Sequence, residues 1–273
     1  MDSFTTQDGV ALRYRDTGGT GVPLVMLHGW GQTQEMFRHQ VGVLDRRVVT
    51  LDQRGHGRSD KPHHGYRIAR LARDVQELLD HLELAEVDAL GWSMGASVWW
   101  SFLDQYGSGR VRRLVVVDQP AAVAAVPWMT PQDQADSGAI FDVAALVGLG
   151  EALHGPEGAK AAEDFVRGMF SGEVDPELWA FVRQEITHTP PYAGVPLLWD
   201  HCAQDWRDVL PRIDRPTLVL GCEGSHVDPA SQRYIAEQVP DARLHVFPRE
   251  VASSHFPFLQ NPAAFNAVLE EFL

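Results

Sequence analysis

The sequence predicts an α/β protein: a mostly parallel sheet flanked by helices and interrupted by a helical insertion. Three observations carry that prediction. Short apolar runs without polar alternation recur toward both ends of the chain, as strands do when a parallel sheet buries both of their faces. Between these runs the hydrophobic period changes to steps of three and four, the spacing of amphipathic helices. From residue 119 to residue 199 the strand rhythm stops and prolines and helical patches replace it.

The elements follow in order. Phe4–Thr6 and Leu12–Asp16 alternate as a hairpin, with Asp8-Gly9 as its turn. Leu24–Leu27 and Val48–Leu51 are buried strands, ending at His28-Gly29-Trp30-Gly31 and at Asp52-Gln53-Arg54-Gly55-His56-Gly57. Ile68, Leu71, Val75, Leu78, Leu79 and Leu82 form one face of a helix between Tyr66 and Leu82, with charged residues between them. Val87–Gly91 is a strand, Ala96–Tyr106 a helix stopped near Gly107, and Leu114–Val117 a strand ending at Asp118. In the insertion, helical patches fall at Phe141–Leu149, Gly158–Phe170 and Pro176–Ile186, and no buried strand is expected. The rhythm returns at Thr217–Gly221 and Leu244–Phe247, and Ala263–Leu273 supplies a last helix. Residues 1–118 and 200–273 are therefore expected to form one core domain, and 119–199 a helical cap.

Composition narrows the function. With 273 residues, 44% of them hydrophobic, the chain is long enough for a substantial core. Asp and Glu number 37 against 23 Lys and Arg, for a net charge of −14, which argues against nonspecific binding to nucleic acid or to an anionic membrane. The first residues carry neither basic charge nor an apolar run, so no secretory signal is expected in this chain. The uncharged stretch Val251–Leu269 is broken by Pro257, Pro262 and polar residues and does not read as a membrane helix. Two cysteines, Cys202 and Cys222, are too few for a disulfide scaffold; free thiols and a cytoplasmic location are expected.

The sharpest chemical signal is Gly91-Trp92-Ser93-Met94-Gly95, a G-x-S-x-G between a strand and a helix. Its glycines permit a strained turn that lifts the Ser93 hydroxyl above the sheet edge; the alternative is a helix N-cap serine. A serine nucleophile needs a base, and the base an orienting acid. Among 12 histidines, His255 in Ser253-Ser254-His255-Phe256-Pro257 occupies a loop that opens at the same sheet edge. His201, His226 and His245 are rivals; His245 lies inside a strand, and the other two lie in less suitable places. Amide groups of Met94 and Trp30 are placed to form an oxyanion hole. His28 reads as a structural residue.

His28-Gly29-Trp30, Asp52 to Ser59, the Ser93 pentapeptide and Ser254-His255-Phe256 together resemble the α/β-hydrolase superfamily across nearly the whole chain. The resemblance implies an eight-stranded, mostly parallel sheet with a helical cap, and structural roles for Arg54 and His56. It also raises a problem. The usual acid follows the strand Thr217–Gly221 in a pattern like G-E-x-D-x-x-V-P. Here Cys222-Glu223-Gly224-Ser225-His226-Val227-Asp228-Pro229 puts Ser225 in the place of the aspartate. The other placement known in the superfamily follows the sixth strand, where Asp118 stands. Asp118 is the expected acid, with Asp228 and Glu223 as alternatives.

The implied reaction is serine-dependent hydrolysis of an ester or lactone of a small, largely apolar substrate, without metal or organic cofactor. His63-His64 and the cysteines show no trusted metal-ligand spacing. A small molecule is the expected partner, with neither nucleic acid nor membrane. The layout also resembles cofactor-free enzymes of this fold that cleave 3-hydroxy-4-quinolones with O₂. Those carry histidines beside the serine and after the Gly-Trp, where this chain has Trp92, Met94 and Gln32. Haloperoxidase or perhydrolase side activity shares the same Ser/Asp/His set. Epoxide hydrolase chemistry would require Asp in place of Ser93. A non-enzymatic receptor would make little use of this triad. Trp128, Phe141 and Trp199, in an aromatic-rich cap, are candidate pocket residues.

Overall fold

The computed structural model describes residues 1–273. Ten strands form: β1 (Asp2–Thr5), β2 (Ala11–Asp16), β3 (Leu24–Leu27), β4 (Val48–Asp52), β5 (Val87–Trp92), β6 (Val111–Val117), β7 (Ala124–Ala125), β8 (Phe141–Asp142), β9 (Thr217–Cys222) and β10 (Ala242–Phe247). Eight of them make one sheet in the order β1-β2-β4-β3-β5-β6-β9-β10. The β1–β2 and β2–β4 pairs are antiparallel and the remaining pairs parallel.

Each central strand feeds both layers, as a period of two requires. Val25 and Leu27 join one apolar cluster while Leu24 and Met26 join the other; Leu114 and Val116 separate from Val115 and Val117 in the same way. Helices α1 (Ile68–His81), α2 (Met94–Tyr106) and α8 (Pro229–Gln238) contribute to the first cluster, and α9 (Pro257–Gln260) and α10 (Pro262–Phe272) to the second. Trp99, Trp100 and Phe102 of α2 are fully buried.

Between β6 and β9 the chain leaves the sheet. It forms α3 (Pro131–Ser137), α4 (Val143–His154), α5 (Gly158–Arg167), α6 (Pro176–Ile186) and α7 (Pro191–Cys202), and pairs β7 with β8. Two of these helices escape the hydrophobic pattern. In α3, Thr130 caps Asp133 N–H in a reciprocal capping box, a polar signal that a search for apolar stripes passes over. In α7, the Pro190-Pro191 pair reads as a breaker, yet Pro191 opens the first turn, where a missing N–H costs nothing. A short parallel β7–β8 pair of two residues a side also forms in the insertion; it is not a buried strand of the kind the sequence reads as lacking there.

Candidate active site

Ser93 sits between β5 and α2 at φ 53°, ψ −127°, a backbone conformation strained for any residue but glycine. Its neighbours make that turn feasible. A Cβ on Gly91 would overlap the backbone of Ala96, and one on Gly95 would overlap the carbonyl of Leu27. The Ser93 side chain forms no capping bond to α2, so the N-cap alternative does not describe it.

The loop after β3 approaches so closely that a Cβ on Gly29 would lie 3.1 Å from Ser93 Cβ. In that loop the Gly31 N–H donates to His56 Nε2 (3.2 Å) and the Gln32 N–H to the Gly29 carbonyl (3.3 Å). The Trp30 amide lies between Gly29 and these two committed donors. Met94 is the first residue of α2, where backbone N–H groups have no intrahelical acceptor. The Trp30 indole donates to the Gly194 carbonyl of α7 (2.7 Å), tying this loop to the insertion.

His28, His56 and Arg54 do structural work. His28 Nε2 accepts the Gln53 N–H (3.1 Å) and His56 Nδ1 faces the Arg54 carbonyl (3.0 Å). Burial pushes both imidazoles down, to about 4 and about 3, and so keeps them neutral. Arg54, fully buried, bridges Asp8 and Asp74.

His255 lies in the loop between β10 and α9. Its Nδ1 is 2.7 Å from Asp118 Oδ2. Asp118, fully buried at the end of β6, has φ 52°, a second non-glycine residue held in the left-handed region beside Ser93. Ser225 Oγ donates to the same Asp118 oxygen at 2.5 Å and accepts the Val227 N–H at 3.1 Å. Burial pushes the Asp118 carboxyl up from its ordinary value, and the Ser225 hydrogen bond opposes that rise. Burial pushes the His255 imidazole down. The Trp92 indole donates to the His255 carbonyl (2.8 Å), so the residue before Ser93 also anchors the histidine loop.

The rival carboxylates are occupied elsewhere. Asp228 caps α8 through the Ala230 N–H (2.8 Å), and Glu223 accepts the Arg249 N–H (3.2 Å). Ser93 and His255 open into one cleft whose interior void is about 40 Å³. Phe141 lines it. Trp128 and Trp199 do not, which corrects their expected place: they stand 82% and 48% exposed along a separate surface groove. On α7 the inward positions belong to Leu198, His201 and Cys202; Trp199, one step of about 100° around the helix from Leu198, points outward. His201 and His226, set aside in the sequence because of their surroundings, both line the cleft. Only the tertiary convergence of α7 with the loop after β9 reveals them.

A family model described as alpha/beta hydrolase fold matches residues 22–262. The chain belongs to the α/β-hydrolase family, and it is an enzyme of that family. It is 29% identical to a non-heme chloroperoxidase CPO-A1 from Kitasatospora aureofaciens, over 100% of this chain and 99% of that one. It is 26% identical to 3-oxoadipate enol-lactonase 2 from Acinetobacter baylyi, over 98% and 95%. A bromoperoxidase structure from Bacillus anthracis superposes with a TM-score of 0.87 at 23% identity, covering 97% and 96%, and shares the fold. No helix of the protein is long and apolar enough to cross a membrane.

Proposed function

We propose that the protein hydrolyses a carboxylic ester or lactone through an acyl-enzyme on Ser93, with His255 as base and Asp118 as its orienting acid. The observation that carries this reading is the 2.7 Å contact from His255 Nδ1 to Asp118 in the cleft that Ser93 enters. Ser93 Oγ attacks the carbonyl carbon while its proton passes to His255 Nε2. The Trp30 and Met94 N–H groups receive the oxyanion, an arrangement worth about 3–4 kcal/mol for one strong donor. His255 returns the proton to the departing alkoxide, which leaves as the alcohol. Water, deprotonated by His255, then attacks the acyl-enzyme and releases the acid. Residues 119–199 serve as the cap over this cleft. The family's lactonase relative supports the choice of bond.

The test is a panel of p-nitrophenyl esters and lactones with wild-type protein and Ser93→Ala, beside fluorophosphonate labelling. Turnover and labelling that both vanish in Ser93→Ala support the mechanism; turnover that survives overturns it. The position of Asp118 after β6 also favours a second reading, cofactor-free cleavage of a 3-hydroxy-4-quinolone by O₂. Loss of quinolone absorbance with O₂ consumption would select it. With hydrogen peroxide in place of water, the same acyl-enzyme would yield a peracid, the side activity that the chloroperoxidase relative brings to mind.

A further inference from the structure

Three polar side chains of the cleft lining have no task in the proposed reaction and carry a buried polar atom without a hydrogen-bond partner. Gln32, from the loop after β3, is 1% exposed, and neither its amide oxygen nor its amide nitrogen has a hydrogen-bond partner. His201, near the end of α7, is 4% exposed with an unpartnered Nδ1. His226, from the loop after β9, packs edge-on against His255 at 4.5 Å between ring centroids, and its Nδ1 is also unpartnered. All three belong to the lining that Ser93 and His255 share.

Leaving a buried polar atom unpaired costs about 1–3 kcal/mol, so three such groups around one cavity mark a place where something else completes them. The lining contains no Lys or Arg, and burial holds both imidazoles neutral, so an anionic group finds no counter-charge there. A neutral imidazole offers one donor and one acceptor, and a carboxamide offers both kinds. The matching ligand group is neutral and itself donates and accepts. The remaining walls are mostly apolar, Val123, Ile140 and Leu198 among them; Gln119, also in the lining, donates its amide N–H to the Pro120 carbonyl (2.9 Å).

We infer that Gln32, His201 and His226 are specificity residues, and that the substrate is a neutral ester or lactone bearing a hydroxyl or carboxamide substituent on an apolar frame. The ester or lactone in this statement rests on the hydrolase reading; the recognition of the substituent does not.

The experiment separates the two. Ser93→Ala protein binds, by calorimetry, ethyl butyrate, ethyl 3-hydroxybutyrate and ethyl succinamate, the last carrying a terminal carboxamide. The expected result is at least tenfold tighter binding of one polar ligand than of ethyl butyrate, with the ratio falling severalfold when Gln32→Leu or His201→Leu is added. Hydroxyl and carboxamide are told apart by which ligand wins. Equal binding of all three, a preference for ethyl butyrate, or a ratio that neither variant moves would overturn the inference. Turnover by wild-type protein is read in parallel: selective binding without turnover would remove the hydrolase reading and leave the recognition site standing.

Discussion

Two strand ends lie side by side at the sheet edge and divide one task. The loop after β9 holds Ser225, where the resemblance looks for an acid; the end of β6, the neighbouring strand, holds Asp118. Ser225 donates its hydroxyl proton to the oxygen of Asp118 that meets His255. The late loop thus places a hydroxyl where the resemblance looks for a carboxylate, and that hydroxyl hydrogen-bonds to the carboxylate next door. The difference teaches that the geometric requirement belongs to His255 Nδ1. In this chain the carboxylate that reaches that atom comes from the end of β6.

If β6 carries the acid for a serine mechanism, the largest effect belongs to the nucleophile. Ser93→Ala should lower ester turnover about 10⁶-fold, because the triad acts as a unit, while circular dichroism and thermal unfolding stay close to wild type. His255→Ala should match it on the same assay; a histidine variant elsewhere that did comparable damage would break the assignment.

Ser225→Ala sharpens the comparison. A hydrogen bond to a charged group contributes about 1.5–3 kcal/mol, so kcat/KM should fall by about ten- to a hundredfold if Ser225 supports the Asp118 carboxylate. The pH profile carries the sign. Ser225 holds the Asp118 carboxyl down against burial, so removing it raises that group's tendency to take a proton. The carboxylate form is the useful one, and activity on the acid side should therefore be lost at a higher pH in Ser225→Ala than in wild type. An acid limb that stayed in place would make Ser225 a spectator.

The smallest expected effect lies across the comparison. Asp228→Ala removes the cap of α8 and should cost about 1 kcal/mol of stability, read by denaturant unfolding, with kcat/KM nearly unchanged.

The same contrast marks how far the sequence could be read. β3 was legible because Leu24–Leu27 is apolar at every position, and β4 and β5 because their short, fully buried runs are mostly apolar, interrupted only by Thr50 and Asp52 in the one and Asp88 in the other. β6 was legible only from Leu114 onward, because Arg112 and Arg113 interrupt its start. Ser93 announced itself through a recognisable local pattern of flanking glycines, although one of them, Gly95, is required by the distant Leu27 carbonyl. Asp118 and His255, 137 residues apart, could be paired only through chain order and resemblance, since nothing local binds one to the other. The cap was least legible. Aromatic composition pointed to Trp128 and Trp199, but orientation on the turn before α3 and around α7 decides which side chains enter the cleft, and those two do not. His201 and His226 lay hidden for the converse reason: each looks ordinary in its own segment, and their proximity is a product of the fold.

The central claim is that the acid acts from the end of β6. Its most direct test is kcat/KM on one ester for Asp118→Asn and Asp228→Asn, side by side. Asp118→Asn should leave the fold intact, favour the wrong His255 tautomer and reduce kcat/KM by up to about 10⁴-fold. Asp228→Asn, which keeps its helix cap, should stay within about twofold of wild type. A loss confined to Asp228→Asn, with Asp118→Asn fully active, would contradict the account.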